Sequence, residues 1–243
     1  VLFRSTLPVI QQALSSDDDP TVVNAVDALI TIGLPLKADI RTTLLSLLHQ
    51  RSAAIQRVAI QCFSRLDVDD CAAQISPFES HSDYLVSGAA LAYSVRYTGS
   101  LERLESLSTR LSDNTVGIRR AAVIDLGDAG HEASLSALAS SAVSMPLRAK
   151  SALRILGKNH QYHLNPFLQA ILIDDPRLLV YPSELSSPSS LDSICDYLRH
   201  RDEGKQYLGA KALLGLESAE QQQAILDIWN QHGSDYEIGR AHV

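Results

Sequence analysis

A short sequence unit recurs along the chain, and this repetition restricts the possible folds more than any other feature. The clearest copy is residues 113–127, DNTVGIRRAAVIDLG. It opens with Asp and Asn, which are good helix caps, and continues with Ala and aliphatic residues at helical spacing. It ends on Leu-Gly, where a glycine can adopt the left-handed conformation that closes a helix. Related copies close at positions that lie 33, 33, 31 and 27 residues apart: Gly33, Leu66, Gly99, Gly130 and Gly157.

A period of this length holds one helical hairpin, and the segments between the units predict the second helix of each hairpin. These partner helices are expected near residues 7–15, 38–49, 70–78, 101–112 and 132–142. Each recurring unit has a small residue at a similar place, where stacked helices approach closely: Ala25, Ala59, Ala90, Ala122, Ala152 and Gly209. One hairpin alone leaves its apolar face exposed, so the hairpins must share a core. We therefore predict an all-α fold, an α-solenoid of about six to seven helical hairpins.

The rhythm breaks once, at residues 174–188, a stretch rich in Pro and Ser. Loops of this length inside a domain are usually functional or disordered. The apolar residues 178–181 predict that this insertion packs against the rest of the domain. Helices resume near residues 191–200, 204–216 and 219–232.

The two ends differ in character from the rest of the chain. Residues 1–5 and 237–243 resemble the translation of a sequencing adapter in its two orientations, and the first residue is Val1 rather than Met. We therefore expect residues 6–236 to be the natural protein, a single solenoid domain, and the two ends to be foreign to it.

Composition narrows the possible functions. The net charge of −7 argues against nucleic-acid binding, which usually needs a basic stripe. No apolar run is long enough to cross a membrane. The three cysteines lack the spacing of a zinc site or redox pair, so we expect small buried side chains and no metal. Phosphate-binding loops and hydrolase or kinase motifs are absent as well.

Residues 118–130, IRRAAVIDLGDAG, resemble the V-R-x-x-A-x-x-x-L-G-x-x-G signature of short HEAT repeats, the form found in phycobilisome lyases. Residues 147–157 resemble it too, and residues 202–215 look like a terminal repeat of the bilin lyase family. The arginine of the signature, present as Arg119, is replaced by Val23 or a neighbour in the first unit and by Gln206 in the last.

The resemblance implies a protein that binds a phycobilin, a linear tetrapyrrole, and assists its attachment to cysteines of a phycobiliprotein. The tetrapyrrole is then a substrate, with no covalently held cofactor. The implied partners are a phycobiliprotein subunit or another protein on the concave face, and a second lyase subunit. The resemblance also implies a cytoplasmic location, in the cyanobacterial cytosol or the plastid stroma. Two alternatives stay open, a non-enzymatic HEAT scaffold and a chromophore-detaching adaptor, because a repeat fold does not determine function.

No catalytic residue is assigned, because the attacking thiolate of such a reaction belongs to the phycobiliprotein. Holding the pigment calls for aromatic faces, cations for its propionates and a carboxylate near its pyrrole N–H groups. The candidate ligand-binding residues are Tyr93, Arg96, Tyr97, Arg119, Asp125, His160, Tyr162, His163 and Tyr181. The alternative for Arg119 is a structural hydrogen bond between repeats, and for the two histidines a solvated loop. Asp128 is interpreted as a turn cap or as a second carboxylate for the pigment.

Overall fold

The ends of the helices follow the caps that the sequence supplies. The computed structural model describes residues 2–50, 52–158, 171, 173–216 and 218–232. Three helices end on a glycine in the left-handed conformation, Gly33, Gly99 and Gly130, with φ of 68°, 67° and 69°. The unit that closes at Leu66 has no glycine, and Asp67 takes the left-handed conformation there with φ of 58°. In the described residues the helices are α1 (Leu2–Leu14), α2 (Asp19–Ile32), α3 (Ala38–Gln50), α4 (Ala53–Arg65), α5 (Ala72–Ile75), α6 (Tyr84–Thr98), α7 (Leu101–Thr109), α8 (Val116–Ala129), α9 (Ser134–Ser140), α10 (Met145–Lys158), α11 (Leu191–Leu198), α12 (Glu203–Leu214) and α13 (Ala219–His232).

The helices pair as hairpins, and the hairpins stack in chain order. The recurring units form α2, α4, α6, α8 and α10, each of which contacts the next in the stack. The odd-numbered helices pack beside them as partners. The small residues predicted at the crossings are buried: Ala25, Ala59, Ala90, Ala122, Ala152 and Gly209. The predicted all-α fold is confirmed, since the regular elements in the described residues are all helical.

The aliphatic core of the first five hairpins consists of two clusters that share α6, one from α1 to α6 and the other from α6 to α10. Its residues come from both layers of helices, and ten consecutive residues of α6, 86–95, are buried. A smaller core around Ile194, Cys195 and Ile225 joins α11 to α13. Cys62, Cys71 and Cys195 are free and buried, as predicted. Burial raises the pKa of the Cys62 thiol to about 12, so this thiol stays protonated.

The insertion at 174–188 is anchored to the end of α9. Val180 forms a parallel bridge with Ser141 and donates its backbone N–H to Ser140 O at 2.7 Å. Of the apolar residues expected to pack, Leu179 is buried, whereas Leu178 and Val180 are exposed. The predicted packing therefore holds for Leu179, with Tyr181 half-buried, because the extended backbone from Leu179 onward turns alternate residues outward.

Several local expectations are wrong. Gly127 does not close its helix, because α8 continues to Ala129 and Gly130 provides the cap. Gly157 lies inside α10 rather than after it. The partner helices near 70–78 and 132–142 are shorter than predicted, since α5 passes into a 3-10 turn, Ser76–Ser80, and α9 has seven residues. In the part of the chain that the structure describes, no helix has the length and apolarity needed to cross a bilayer.

Candidate functional site: the inner face of the helix stack

The stack bends so strongly that α4 and α8 contact each other although α6 lies between them. The edge where they approach is the concave edge of the stack, and we call it the inner face. Gly88 of α6 makes the approach possible, because a Cβ at this position would overlap the carboxylate of Asp125. The inner face is lined by charged side chains on four elements: Arg57, Arg65, Arg110, Asp125, Asp128 and Arg154.

The first group of charges surrounds Asp125, whose side chain is 1% exposed. Arg57 Nη2 donates to Asp125 Oδ1 at 2.8 Å, and the same guanidinium donates to the backbone oxygen of Leu85. Desolvation raises the pKa of Asp125 to about 6, against the opposing effect of Arg57. The carboxylate is thus held between helices and has no exposed edge to offer a ligand.

Arg110 completes this group from the 3-10 turn after α7. Its guanidinium donates to Tyr84 O at 2.9 Å and to Ser87 Oγ at 3.1 Å, and its charge also acts on Asp125. Burial lowers the pKa of Arg110, which means that its surroundings compensate the cation incompletely.

The second group centres on Asp128, also 1% exposed at its side chain. Arg65 binds both carboxylate oxygens, at 2.9 and 2.8 Å, and Arg154 Nη1 binds Oδ1 at 2.9 Å. Arg96 donates to the backbone oxygen of Asp128 at 2.9 Å and pairs with Asp67 at 2.6 Å. Asp128 is therefore a bridge between α4, α8 and α10, and its interpretation as a turn cap is wrong.

On the inner face, guanidinium groups outnumber the carboxylates that accept hydrogen bonds from them. Four guanidinium groups surround Asp125 and Asp128, and Asp27 and Asp113 are further negative charges near Arg65 and Arg110. The side chains of Arg65 and Arg154 remain 18% and 29% exposed. Burial lowers the pKa of Arg154, so this cation gains from an anionic ligand. Such a face is suited to binding carboxylates.

Tyr93 and Tyr97 do not present the aromatic faces that were expected of them. Tyr93 is fully buried; its hydroxyl donates to Val68 O at 2.8 Å and accepts from Cys71 N at 3.1 Å. The Tyr97 ring packs against it in a tilted arrangement, with 4.6 Å between ring centroids, and the Tyr97 hydroxyl donates to Phe63 O at 3.4 Å. Arg96 lies over the ring of Tyr97. These side chains close the core between α4 and α6, so the Tyr93 ring offers no surface to a ligand.

Arg119 has a structural role, which is the alternative that the sequence left open for it. It is fully buried and donates to Asp113 O at 2.8 Å and Asn114 O at 3.1 Å, and it pairs with Asp202. The equivalent Arg148 of the next unit is also fully buried, between two carbonyl groups and Asp174.

Where glutamine replaces this arginine, its side chain also donates to a backbone carbonyl that precedes the helix. Gln56 donates to Leu48 O at 2.9 Å, and Gln206 donates to His200 O at 2.7 Å. In α4, α8, α10 and α12 the residue at this position therefore ties the helix to the chain before it, which explains why glutamine, a shorter N–H donor, is accepted there.

The remaining predicted residues lie apart from the inner face or outside the described residues. Tyr181, in the insertion, donates to Pro176 O at 2.5 Å and lies under Lys211. His160, Tyr162 and His163 fall outside the described residues.

The sequence analysis missed the cations that line the inner face: Arg57, Arg65, Arg110 and Arg154. One signal was available for α4, since residues 57 and 65 are eight apart and share a helix face. Nothing in the sequence shows that α4 reaches α8, because that contact depends on the curvature of the stack.

The chain is similar to curated proteins whose names refer to the phycocyanin operon and to bilin biosynthesis. It is 28% identical over 249 residues to the uncharacterized phycocyanin operon protein Y of Pseudanabaena tenuis, which covers 98% of this chain and 57% of that protein. It is 31% identical over 151 residues to the bilin biosynthesis protein PecE of a Nostoc species, which covers 62% of this chain and 58% of PecE. These relatives confirm the resemblance that residues 118–130 indicate. The chain spans less than two thirds of either relative, and no protein-family model matches it.

Among solved structures, the fold is similar to a chain in the complex of CpcE and CpcF of phycocyanin lyase from Nostoc. The TM-score is 0.51 at 18% identity, over 72% of this chain and 83% of that one. This likeness concerns the fold.

Proposed function

We propose that this chain is part of a bilin lyase-type protein that binds a linear tetrapyrrole and assists its attachment to a phycobiliprotein cysteine. The similarity to the bilin biosynthesis protein PecE supports the choice of pigment. The observation that carries the proposal in the structure is the excess of arginines on the inner face.

The inner face has the chemistry to hold the pigment by its two propionate groups. Arg65 and Arg154 are the most exposed cations of the Asp128 group, and both are already fixed in direction by that carboxylate. A guanidinium held in this way loses little conformational freedom when it binds a second carboxylate. We therefore assign Arg154 the principal contact and Arg65 the supporting one.

The covalent step needs no nucleophile from this chain. The thiolate of the phycobiliprotein adds to a carbon–carbon double bond on the terminal ring of the pigment; a carbon–sulfur bond forms, and the neighbouring carbon takes up a proton. The contribution of this chain is to hold the pigment in one position relative to the thiol, which raises the effective concentration of the two reactants.

Co-expression with bilin-synthesis enzymes tests the proposal. The purified chain is expected to carry a visible absorption band, and Arg154→Gln to weaken pigment retention by about tenfold or more through loss of a charged hydrogen bond. Arg177→Gln is the matched control, because Arg177 is 66% exposed and, within the described residues, pairs with Asp175 of the same insertion. Equal pigment retention by both variants would show that the inner face does not bind the pigment.

A non-enzymatic scaffold is the second candidate, and one observation favours it. The inner face between α4 and α8 is covered by ion pairs, and the Tyr93 ring is buried, so this part of the chain lacks the aromatic surface that a pigment prefers. A chain that stays colourless in the co-expression experiment, but forms a stable complex with a lyase subunit in size-exclusion chromatography, would establish this function instead.

A further inference from the structure

Asp125 and Asp128 lie one helical turn apart on α8, and the charged groups around them act on each other. Residues three apart on a helix share one face. The negative charge of Asp128 disfavours that of Asp125, and the charge of Asp125 also reaches Arg65, which bonds Asp128. A change of charge on Asp125 therefore alters the electrostatic potential at the Asp128 group.

The Asp128 group contains the cations that a ligand can reach. Arg65 Nε and Arg154 Nη1 donate to the same oxygen, Asp128 Oδ1, each at 2.9 Å, so the two guanidinium groups lie side by side. Both arginine side chains are partly exposed. Burial lowers the pKa of Arg154, and the nearby charge of Arg65 adds to this effect. An anion that accepts hydrogen bonds from both groups offsets the repulsion between them.

Asp125 lies where several elements of the stack meet. Arg57 donates to it at 2.8 Å, and Arg110 acts on it through its charge. α6 faces it with Gly88, which leaves no room for a side chain between the two helices. The charged side chains at this junction, within the described residues, are Arg57 and Arg65 on α4, Arg96 on α6, Arg110 after α7, Asp113 before α8, Asp128 on α8 and Arg154 on α10. The charge state of Asp125 therefore affects cations of α4 and of the turn after α7.

Burial makes the charge of Asp125 easy to remove. Desolvation raises the pKa of this carboxyl group to about 6, so it takes up a proton in mildly acidic solution, where an ordinary aspartate stays ionised. Its side chain is 1% exposed, and salt screens the field of a buried charge weakly. Protonation therefore removes one negative charge from the inner face, close to the cations that a ligand can reach.

We propose that binding of an anion at Arg65 and Arg154 is coupled to uptake of a proton by Asp125, so that the inner face holds its ligand more tightly in mildly acidic solution. The coupling is reciprocal: a bound anion disfavours the charge of Asp125, and a neutral Asp125 favours the anion. The inference rests on the proposed function, because it concerns the regulation of the same site. For a linear tetrapyrrole the anions are its propionates, which the inner face then releases more readily as the pH rises.

The test uses methanesulfonate as the probe, because its single charge does not change between pH 5 and 7.5. NMR titration of the whole chain measures its affinity at these two pH values. The parent chain is expected to bind it at least about fivefold more tightly at pH 5. Asp125→Asn keeps the shape of the side chain without its charge, and should bind at both pH values as tightly as the parent does at pH 5. Asp175→Asn, which removes a carboxylate of the insertion, is the matched control and should keep the pH dependence of the parent.

Several results would overturn the inference. They are equal affinities of the parent chain at the two pH values, no binding of the probe, or a pH dependence that Asp125→Asn retains. Arg154→Gln should lose binding at both pH values, and unchanged binding would show that the anion binds elsewhere. If Asp125→Asn does not fold, as judged by circular dichroism, proton uptake in an unbuffered titration at pH 6 decides the result, since the parent should take up protons and Arg154→Gln should not.

The pigment experiment separates this inference from the proposed function. A chain that shows the expected pH dependence but stays colourless with bilin-synthesis enzymes supports the coupling and contradicts pigment binding. A coloured chain with equal probe affinities at the two pH values contradicts the coupling alone.

Discussion

The guanidinium of Arg57 and the carboxylate of Asp125 meet at 2.8 Å across α6, although 68 residues separate them along the chain. Helices two places apart in a stack are normally out of reach of each other's side chains. The contact exists because Gly88 leaves room at the crossing. This pair joins the second hairpin directly to the fourth.

Loss of this pair should destabilise the fold. Arg57→Met is expected to lower the free energy of unfolding by about 3 kcal/mol, because it leaves the charge of Asp125 buried with less compensation. Urea denaturation followed by circular dichroism measures the change. Arg177→Met, which removes an exposed pair within one loop, should leave the unfolding midpoint where it is. Similar unfolding midpoints for the two variants would show that the Arg57–Asp125 pair does not contribute to stability.

Two glycines near the ends of consecutive units should respond oppositely to alanine. A Cβ on Gly127 would lie 2.8 Å from Ser151 Cβ and 2.9 Å from its Cα, so Gly127→Ala should cost about 1–3 kcal/mol by overpacking. Gly157 lies in a helix with no atom within 4 Å of the added Cβ, and Gly157→Ala should stabilise by up to about 1 kcal/mol. Thermal unfolding of both variants is the measurement; two shifts of the same sign would contradict the packing described for α8 and α10.

The hydroxyl groups of the neighbouring Tyr93 and Tyr97 should contribute different amounts to the stability of the fold. Tyr93→Phe removes a buried hydroxyl that bonds Val68 and Cys71, and we expect a loss of about 1–2 kcal/mol. Tyr97→Phe removes a single bond of 3.4 Å and should change stability by less than about 0.5 kcal/mol. Equal losses in urea unfolding would mean that the Tyr93 hydroxyl is not the link between α6 and the turn before α5.

The titration of Asp125 should contribute to the pH dependence of stability. Its pKa is about 6 in the folded protein and 3.8 ordinarily, so the folded state holds this proton more tightly than the unfolded chain. The resulting stabilisation is present below about pH 4 and disappears as the pH rises through 6, an effect of about 2–3 kcal/mol. Asp125→Asn removes this contribution, so the parent chain should lose more stability than the variant between pH 4.5 and 7. Parallel pH profiles would contradict the effect of burial on this carboxyl group.

Periodicity and caps were sufficient to predict most of the fold, because they are local properties of the chain. The glycines at 33, 99 and 130 close their helices as the pattern predicts, and Asp18, Asp83 and Asp202 cap the starts of α2, α6 and α12. Gly127 was misread because a glycine needed for close packing looks the same in sequence as one that ends a helix.

The candidate site was less predictable, because it depends on contacts between distant parts of the chain. Tyr93 seemed available for a ligand, since the sequence does not show that α6 is covered on every side. Arg154 was passed over because its partner Asp128 comes from another hairpin. The burial of Arg119 was foreseeable only as one of two alternatives.

Solenoids usually behave as chains of semi-independent units, since each repeat touches only its neighbours. The contact between α4 and α8, extended to α10 by Arg154 and Asp128, adds a coupling that skips a repeat. Repeats joined in this way are expected to unfold together, because unfolding one of them breaks the ion pairs that it forms with the others. The middle of this array is accordingly expected to unfold and refold as a single block. A ligand bound to the inner face would then stabilise three hairpins at once.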